Sequence, residues 1–417
     1  MSNELLRIPA LRARDNRTIA VSMRYQLAYC TNVHAGADLA RTRANLHHYA
    51  RAVKERFSPQ APMGIGLWLA APAVRQLLAT RRLAELAGWL ADCGLVPFTL
   101  NGFPQGDFHE PIVKHRVYRP TWWERDRVEY TLDLIAVLDA LLPARLEGSI
   151  STLPIAWGHP PPSCAQLQLA ARHLDEVISR LARLEAETGR LIYICLEPEP
   201  GCVLQRSSDV VWLFEEVLWP VSQRPDAVRY VRVCHDICHA AVMFEDQREV
   251  LARYAAHGIR VGKVQVSSAV RVDFDALERG ARQQAKQALA SFAEDRYLHQ
   301  TCVRSATGGE IQFFEDLPQA LEAVQPSGQW RVHFHVPIYL DRFGHLQGTQ
   351  DDIRSCLQAA GQHADLQHFE VETYAWSVVP QALQQADLAA GIAREMQWCA
   401  DLGAGGWCET PGGQCGA

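Results

Sequence analysis

The chain has 417 residues, a formal charge of −6, 48% hydrophobic and 21% charged residues, which is ordinary for a globular protein with a sizeable core. The acidic balance gives no electrostatic case for nucleic acid or an anionic membrane surface, and no apolar stretch approaches the ~18 residues of a membrane span. The opening MSNELLRIPALRARDNRT lacks an apolar core, so no signal peptide is expected. Twelve cysteines scattered through apolar runs read as free thiols of a reducing cytoplasm.

Strand-like runs fall near 20–30, 64–70, 95–101, 148–154, 191–197, 230–236, 260–267, 330–338 and 367–374. Between most of them, at 37–57, 73–93, 123–142, 165–189 and 208–219, apolar residues recur at spacings of three and four, as on helices. Alternating strand and helix predicts a parallel sheet, and this number of units predicts an α/β fold of the (β/α)8 TIM-barrel kind. There is one strand too many. The excess lies between Gln265 and Glu372, so an insertion of about 270–330 is placed before the last strand, with 273–295 helical. The run at 330–338 is taken as the extra strand. The expected division is an N-terminal extension over 1–18, a barrel over 19–400 and a flexible Gly-rich tail over 401–417.

Four polar residues end strand-like runs: Glu197 in IYICLEPEPG, Asp236 in YVRVCHDICHA, Gln265 in VGKVQVSSA and Glu372 in HFEVETYAW. In a barrel such ends converge on one mouth. Two Glu, one Asp and one Gln make an oxygen shell for a hard divalent cation. Residues two apart on a strand share a face, so Lys263 lies beneath Gln265, either paired to a barrel carboxylate or touching a substrate oxygen. Glu199 shares a face with Glu197, but neighbouring carboxylates on one strand fit a glycosidase poorly. His239, three residues after Asp236, is placed to touch substrate or shuttle a proton. His333 and His335 share one face of VHFHVPIY and read as extra ligands or substrate contacts. Upstream, Asn32 and His34 end the first strand and Asn101, Phe103 and His109 follow the third. Asn and His suit polyol hydroxyls, and Phe suits the apolar face of a sugar. The cluster Cys234, His235, Asp236, Cys238, His239 matches no common structural zinc spacing. Nucleotide-binding glycine loops and a GxSxG elbow are missing from the sequence.

These residues resemble the xylose isomerase-like TIM-barrel superfamily of sugar isomerases and epimerases. LEPEPG resembles its first Glu motif, HDICH its Asp-x-x-His motif, KVQVSS its third-ligand strand and VETYAW its closing Glu. The resemblance implies metal ligation by Glu197, Asp236, Gln265 and Glu372, with a substrate or relay role for His239. It leaves open whether His335 joins or replaces Gln265. More narrowly, the ordered blocks YCTNVHAG, GIGLWLA, FTLNGFP, VYRPTW, GSISTLP, LEPEPGC, CHDICHAAVMFED, RVGKVQVSSA, RVHFHVPIY and VETYAW resemble EboE-type metabolite traffic proteins. That likeness implies a bacterial synthesis or export pathway for a prenylated or cyclitol-like metabolite.

The expected activity is isomerisation or epimerisation of a sugar or cyclitol carbonyl compound, by proton transfer through an enediolate. Glu197, Glu372 and His239 are the catalytic candidates, and His34, Asn101, Phe103, His109, Lys263, His333 and His335 the substrate contacts. The expected cofactor is one divalent ion, Mn²⁺ or Mg²⁺, with Zn²⁺ or Co²⁺ as alternates. A small sugar or cyclitol is the expected partner, with no nucleic acid, no membrane insertion and a possible homodimer. Two alternatives stand beside this: an endonuclease IV-like phosphoesterase holding two or three ions, and a non-catalytic metabolite carrier.

Overall fold

The computed structural model describes residues 25–404 apart from 81, 223–226, 306–308 and 385. The expected extension over 1–18, and the part of the Gly-rich tail from 405 on, lie outside the described residues. Residues 401–404 end a helix, Leu388–Ala404.

Seven strands follow one another with helices between: β1 (Gln26–Tyr29), β2 (Met63–Trp68), β3 (Leu95–Asn101), β4 (Gly148–Thr152), β5 (Ile192–Leu196), β6 (Val231–Asp236) and β7 (Val261–Val266). Then come six short strands, β8 (Val270–Asp273), β9 (Thr301–Arg304), β10 (Ile311–Phe314), β11 (Gln329–Val332), β12 (Arg342–Phe343) and β13 (Leu346–Gly348), before β14 (His368–Val371). The first seven and β14 form one eight-stranded parallel sheet in the order β1-β14-β7-β6-β5-β4-β3-β2. A parallel bridge from Cys30 to Gly66 brings its two edges together. The architecture is a (β/α)8 barrel. Its strands are near-continuous apolar runs, as strands covered on both faces must be.

Local signals set the helix ends. Helix Cys164–Thr188 starts on a Ser163/Gln166 capping box and stops at Gly189, whose φ of 71° is left-handed. The expected helix at 73–93 is two, Ala71–Ala79 and Arg82–Asp92.

The other six strands make an antiparallel sheet, β10-β9-β11-β8-β13-β12. Gln329–Val332, at the start of the run taken as extra, pairs there with β8 and β9, while the run at 260–267 is the seventh barrel strand. The sheet extends to Gly348, past the 330 boundary drawn from sequence, because the β12–β13 hairpin adds to it. Its core residues Trp330 and Val332, with Phe334 just after β11, share a core cluster with Trp68 at the end of β2 and with Phe108 and Tyr374 from segments beyond the C-terminal ends of barrel strands. The second sheet therefore roofs the mouth of the barrel.

Inside the barrel the side chains stack in layers. Lowest lies Tyr193, with the Arg232 guanidinium 3.6 Å from its ring centre. Above it, Lys263 Nζ lies 2.6 Å from Glu370 Oε2, both side chains fully buried. Gly66 makes room for that pair, since a Cβ there would fall 1.3 Å from Glu370 Oε1.

The last helix ties down the roof. Glu395 is buried and accepts from Thr373 Oγ1 (2.6 Å), the Ile338 backbone N–H (3.0 Å) and Trp376 Nε1 (3.1 Å). Burial pushes its carboxyl up to about 7, with the three donors pulling the other way. A raised folded pKa means the native state holds the proton more tightly. The resulting stability is complete below pH ~4.5 and lost as pH rises through ~7, and is worth about 3 kcal/mol. Glu395→Gln is expected to remove this component. Unfolding free energies measured between pH 5.5 and 8 should fall with pH more steeply for the wild type than for the variant; parallel curves would refute the assignment.

Candidate metal centre

Glu197 and Glu372 immediately follow β5 and β14, Asp236 ends β6, and Gln265 is the penultimate residue of β7. All four are buried, each at most 5% exposed. Ligand oxygens of Glu197, Asp236 and Glu372 lie within 4.8 Å of one another. Gln265 pairs in register with Glu370, one inward step below Glu372.

Asp236 and Glu372 are each held by one oxygen. Asp236 caps helix Ile237–Val242, its Oδ1 accepting from the His239 backbone N–H (2.8 Å) and Ser267 Oγ (2.8 Å). Glu372 Oε1 accepts from Asn32 Nδ2 (2.6 Å) and Asn101 Nδ2 (3.0 Å). His335 donates Nδ1–H to the Glu372 carbonyl (2.7 Å), which leaves Nε2 as a bare acceptor 3.9 Å from Asp236 Oδ2. Among the described residues Glu197 Oε2, Asp236 Oδ2, His335 Nε2 and both amide atoms of Gln265 are buried with no hydrogen-bond partner. Buried acceptors converging without donors are costly unless a cation serves them. The residues present therefore fit a divalent ion.

Electrostatics agree. Burial, then Glu372 and Asp236, raises the Glu197 carboxyl well above its usual range. Burial, then Asp236 and Glu370, does the same to Glu372. At Asp236 burial also pushes up, but His239, His335 and two hydrogen bonds outweigh it and the pKa is lowered.

Over this floor opens a cleft of about 530 Å³ whose lining includes Asn32, Phe103, Glu197, Glu199, His239, His333, His335 and Glu372. Phe108, Tyr118, Tyr297 and Tyr374 complete an aromatic wall. Of the substrate contacts expected from sequence, Phe103, His333 and His335 line the cleft. Lys263 does not: it is fully buried in its ion pair with Glu370. Asn101 lies behind Glu372 as a donor. His109 binds the Asn32 carbonyl (2.6 Å), and His34 stacks on Tyr49 (ring centres 4.4 Å apart) beside a separate small hollow. These three sit outside the cleft's lining, although Asn32 and Phe103 from the same strand ends lie in it.

Two groups went unassigned in the sequence. Glu199 faces the cleft and accepts from Tyr118 Oη (2.8 Å) and Gln300 Nε2 (3.0 Å). Its spacing from Glu197 was the available signal. Gln300 and the tyrosines come from a loop and an insertion that no periodicity reaches.

No family model and no curated protein matches the chain. Solved structures do. A xylose isomerase-like TIM-barrel protein from Mycobacterium smegmatis, in complex with magnesium, superposes with a TM-score of 0.50 at 11% identity, over 91% of this chain and 96% of that one. The fold is that of the xylose isomerase-like barrels. A D-allulose 3-epimerase from Methylomonas sp. gives 0.48 at 13% identity, over 91% and 98%. A family 2 AP endonuclease from Brucella melitensis gives 0.37 at 16%, over 58% and 78%. No helix among the described residues is long and apolar enough to cross a membrane.

Proposed function

We propose that the chain is a divalent-cation-dependent isomerase or epimerase of a sugar- or cyclitol-type carbonyl compound. One observation carries this reading: Glu197 and Glu372, both buried and both raised in pKa, meet Asp236 at the floor of a cleft. Burial and mutual repulsion raise these carboxyls in the cation-free protein; a bound divalent ion would offset this and leave them ionised to take a proton. Glu197, Asp236 and Glu372 would hold the cation with His335 Nε2, and Gln265 supplies a further oxygen. Three carboxylates favour Mn²⁺ or Mg²⁺, with Zn²⁺ or Co²⁺ as substitutes. A bound ion supplies Lewis-acid polarisation of the carbonyl and its neighbouring hydroxyl.

The chain's own residues do the rest. One of Glu197 and Glu372 takes the proton α to the carbonyl and the other returns it, by way of an enediolate. Asn32 and Asn101 fix one oxygen of Glu372 and leave the other to act. Phe103 and Tyr374 offer flat apolar surface to the substrate ring. His239 keeps its proton on Nδ1, which donates to the Pro198 carbonyl (2.8 Å), so Nε2 is the atom available to relay a proton.

The test uses metal-stripped protein reloaded with Mn²⁺ and a panel of keto-sugars, aldoses and inososes in D₂O. Deuterium should enter the carbon α to the carbonyl with the wild type and not with Glu197→Gln. Failure to exchange on any member, with Mn²⁺ bound, refutes the reading.

Phosphoester hydrolysis is the second reading, favoured by the imidazoles of His239, His333 and His335 in the same cleft. Against it, Lys114 is the only Lys or Arg in the described lining, and it is already paired to Asp316 (2.6 Å). A bacterial metabolite pathway of the EboE type belongs to the proposal and rests on the sequence blocks; a cytoplasmic location, from the cysteine usage, and a homodimer, from the habit of such barrels, belong to it too.

A further inference from the structure

The geometry points to a substrate that carries an alkylammonium group, an amino sugar or aminocyclitol, whose nitrogen is received by Glu199, His239 and His333 on the wall of the cleft. This names the substrate class of the proposed isomerase and rests on that reading of the cleft. A nitrogen of each imidazole and a carboxylate oxygen of Glu199 lie within 4.8 Å of one another, and all three side chains are buried.

Hydrogen-bond partners decide the tautomers. His239 Nδ1 faces the Pro198 carbonyl at 2.8 Å, which only accepts, so Nδ1 carries the proton. Gln300 places its amide nitrogen against the Pro200 carbonyl (3.2 Å) and Glu199 Oε1 (3.0 Å), both acceptors. Its oxygen is therefore the atom 2.8 Å from His333 Nδ1, and that nitrogen also carries the proton. Both imidazoles then turn bare Nε2 lone pairs on each other, 3.2 Å apart, where they repel unless a donor lies beside them. Glu199 Oε1 is held by Tyr118 Oη and Gln300 Nε2, while among the described residues nothing donates to its Oε2. Three acceptors thus converge on one place. An alkylammonium brings three N–H donors and no lone pair. A hydroxyl brings one donor, so it would serve Glu199 and leave the imidazoles opposed.

Charge selects in the same direction. Glu197, Asp236 and Glu372 outnumber the charge of a divalent ion at the floor, and Glu199 adds a further carboxylate above it. Lys114, the only Lys or Arg in the described lining, is already paired to Asp316 (2.6 Å). A cleft of this sign draws in cations and repels phosphorylated sugars. Its wall also suits an ammonium, because aromatic faces attract cations. Phe108, Tyr297 and Tyr374 pack with ring centres 4.8–5.1 Å apart, and Phe103 and Tyr118 complete the lining. Asp236 and His335 also cluster with His239, so the amine pocket adjoins the carboxylate centre and one small substrate reaches both. With His239 Nε2 occupied by the amine, proton transfer falls to Glu197 and Glu372 alone.

The experiment titrates full-length protein in excess Mg²⁺ at pH 7 by calorimetry. The probes are glucosamine, mannosamine and an inosamine, each against its hydroxyl counterpart and its N-acetyl derivative. For at least one set the amine should bind about 10–100-fold more tightly than both neutral partners, the worth of charge-assisted hydrogen bonds. Glu199→Gln, which keeps the shape and removes the charge, should cut that ratio about tenfold or more. Circular dichroism checks its fold, and the N-acetyl comparison on wild type carries the test without any variant. Amines bound no better than their neutral partners, or no binding by any probe, overturns the inference. Selectivity that Glu199→Gln keeps in full belongs to the bound ion and overturns it too. Deuterium exchange into neutral carbonyl sugars with no preference for amines would leave the isomerase reading standing without this pocket. Amine-selective binding lost in Glu199→Gln, with no exchange on any carbonyl compound, would keep the pocket and remove the isomerase.

Discussion

Lys263→Met is expected to cost about 3–5 kcal/mol of unfolding free energy, because it strands a buried carboxylate. Lys263 and Glu370 are both fully buried, 2.6 Å apart in the middle of the barrel. Burial by itself would lower the lysine's pKa, but Glu370 outweighs it and the pKa is raised, so the lysine stays charged. Gly66 provides the space Glu370 occupies, since even a Cβ there would collide with it. The double variant Lys263→Met/Glu370→Leu should regain most of the loss, because a matched apolar pair avoids the desolvation that the ion pair bears. Urea denaturation reads both. A single variant within about 1 kcal/mol of wild type would mean the pair is not isolated from solvent. The lysine also reaches the site, since its charge lowers the carboxyls of both Glu197 and Glu372. Losing it alone should make those carboxylates harder to ionise; in the double variant the loss of Glu370, which raises Glu372, offsets this at Glu372.

That dual role explains one limit of the sequence. Alternation put Lys263 and Gln265 on one face, and the structure keeps them there. It could not say that a glycine two strands away shapes the interior for Glu370. Substrate contact for Lys263 therefore gives way to a structural pair. The strand-end residues were legible because parallel strands are buried on both sides, so a Glu, Asp or Gln ending an apolar run is conspicuous. Asp236 was readable as a strand end; its role as the cap of helix Ile237–Val242 came only with the structure. What stayed hidden came from the roof. His333 and His335 stood out in VHFHVPIY, yet only the antiparallel pairing of β11 with β8 and β9 swings the segment after it over the mouth. Gln300 and Tyr118 reach Glu199 from positions about 100 and 80 residues away in sequence, with no periodic signal. His34 and His109 show the converse: polar residues at strand ends that turn into the loop packing and never meet the cleft.

Glu372→Gln should separate stability from function, with opposite signs depending on metal. In the metal-free protein, Glu197, Asp236 and Glu372 crowd like charges into a buried space, and the first and last have raised pKa values for that reason together with burial. Gln at 372 keeps an amide oxygen for Asn32 and Asn101 and removes one charge. Metal-free Glu372→Gln should therefore melt higher than metal-free wild type at pH 8, by a gain on the order of 1–2 kcal/mol. Saturating Mn²⁺ should reverse the order, because only wild type offers three carboxylates and gains the full binding energy. Deuterium exchange into a carbonyl substrate should fall by about 10²–10⁴-fold in the variant, the usual worth of a positioned base. Asn101→Ala makes the control: Glu372 keeps its charge but loses one orienting donor, so metal should remain bound with affinity down about 10–100-fold. A melting temperature for Glu372→Gln below wild type in the absence of metal would show that the three carboxylates are not in conflict. A cation would then not be what this barrel mouth is built to hold.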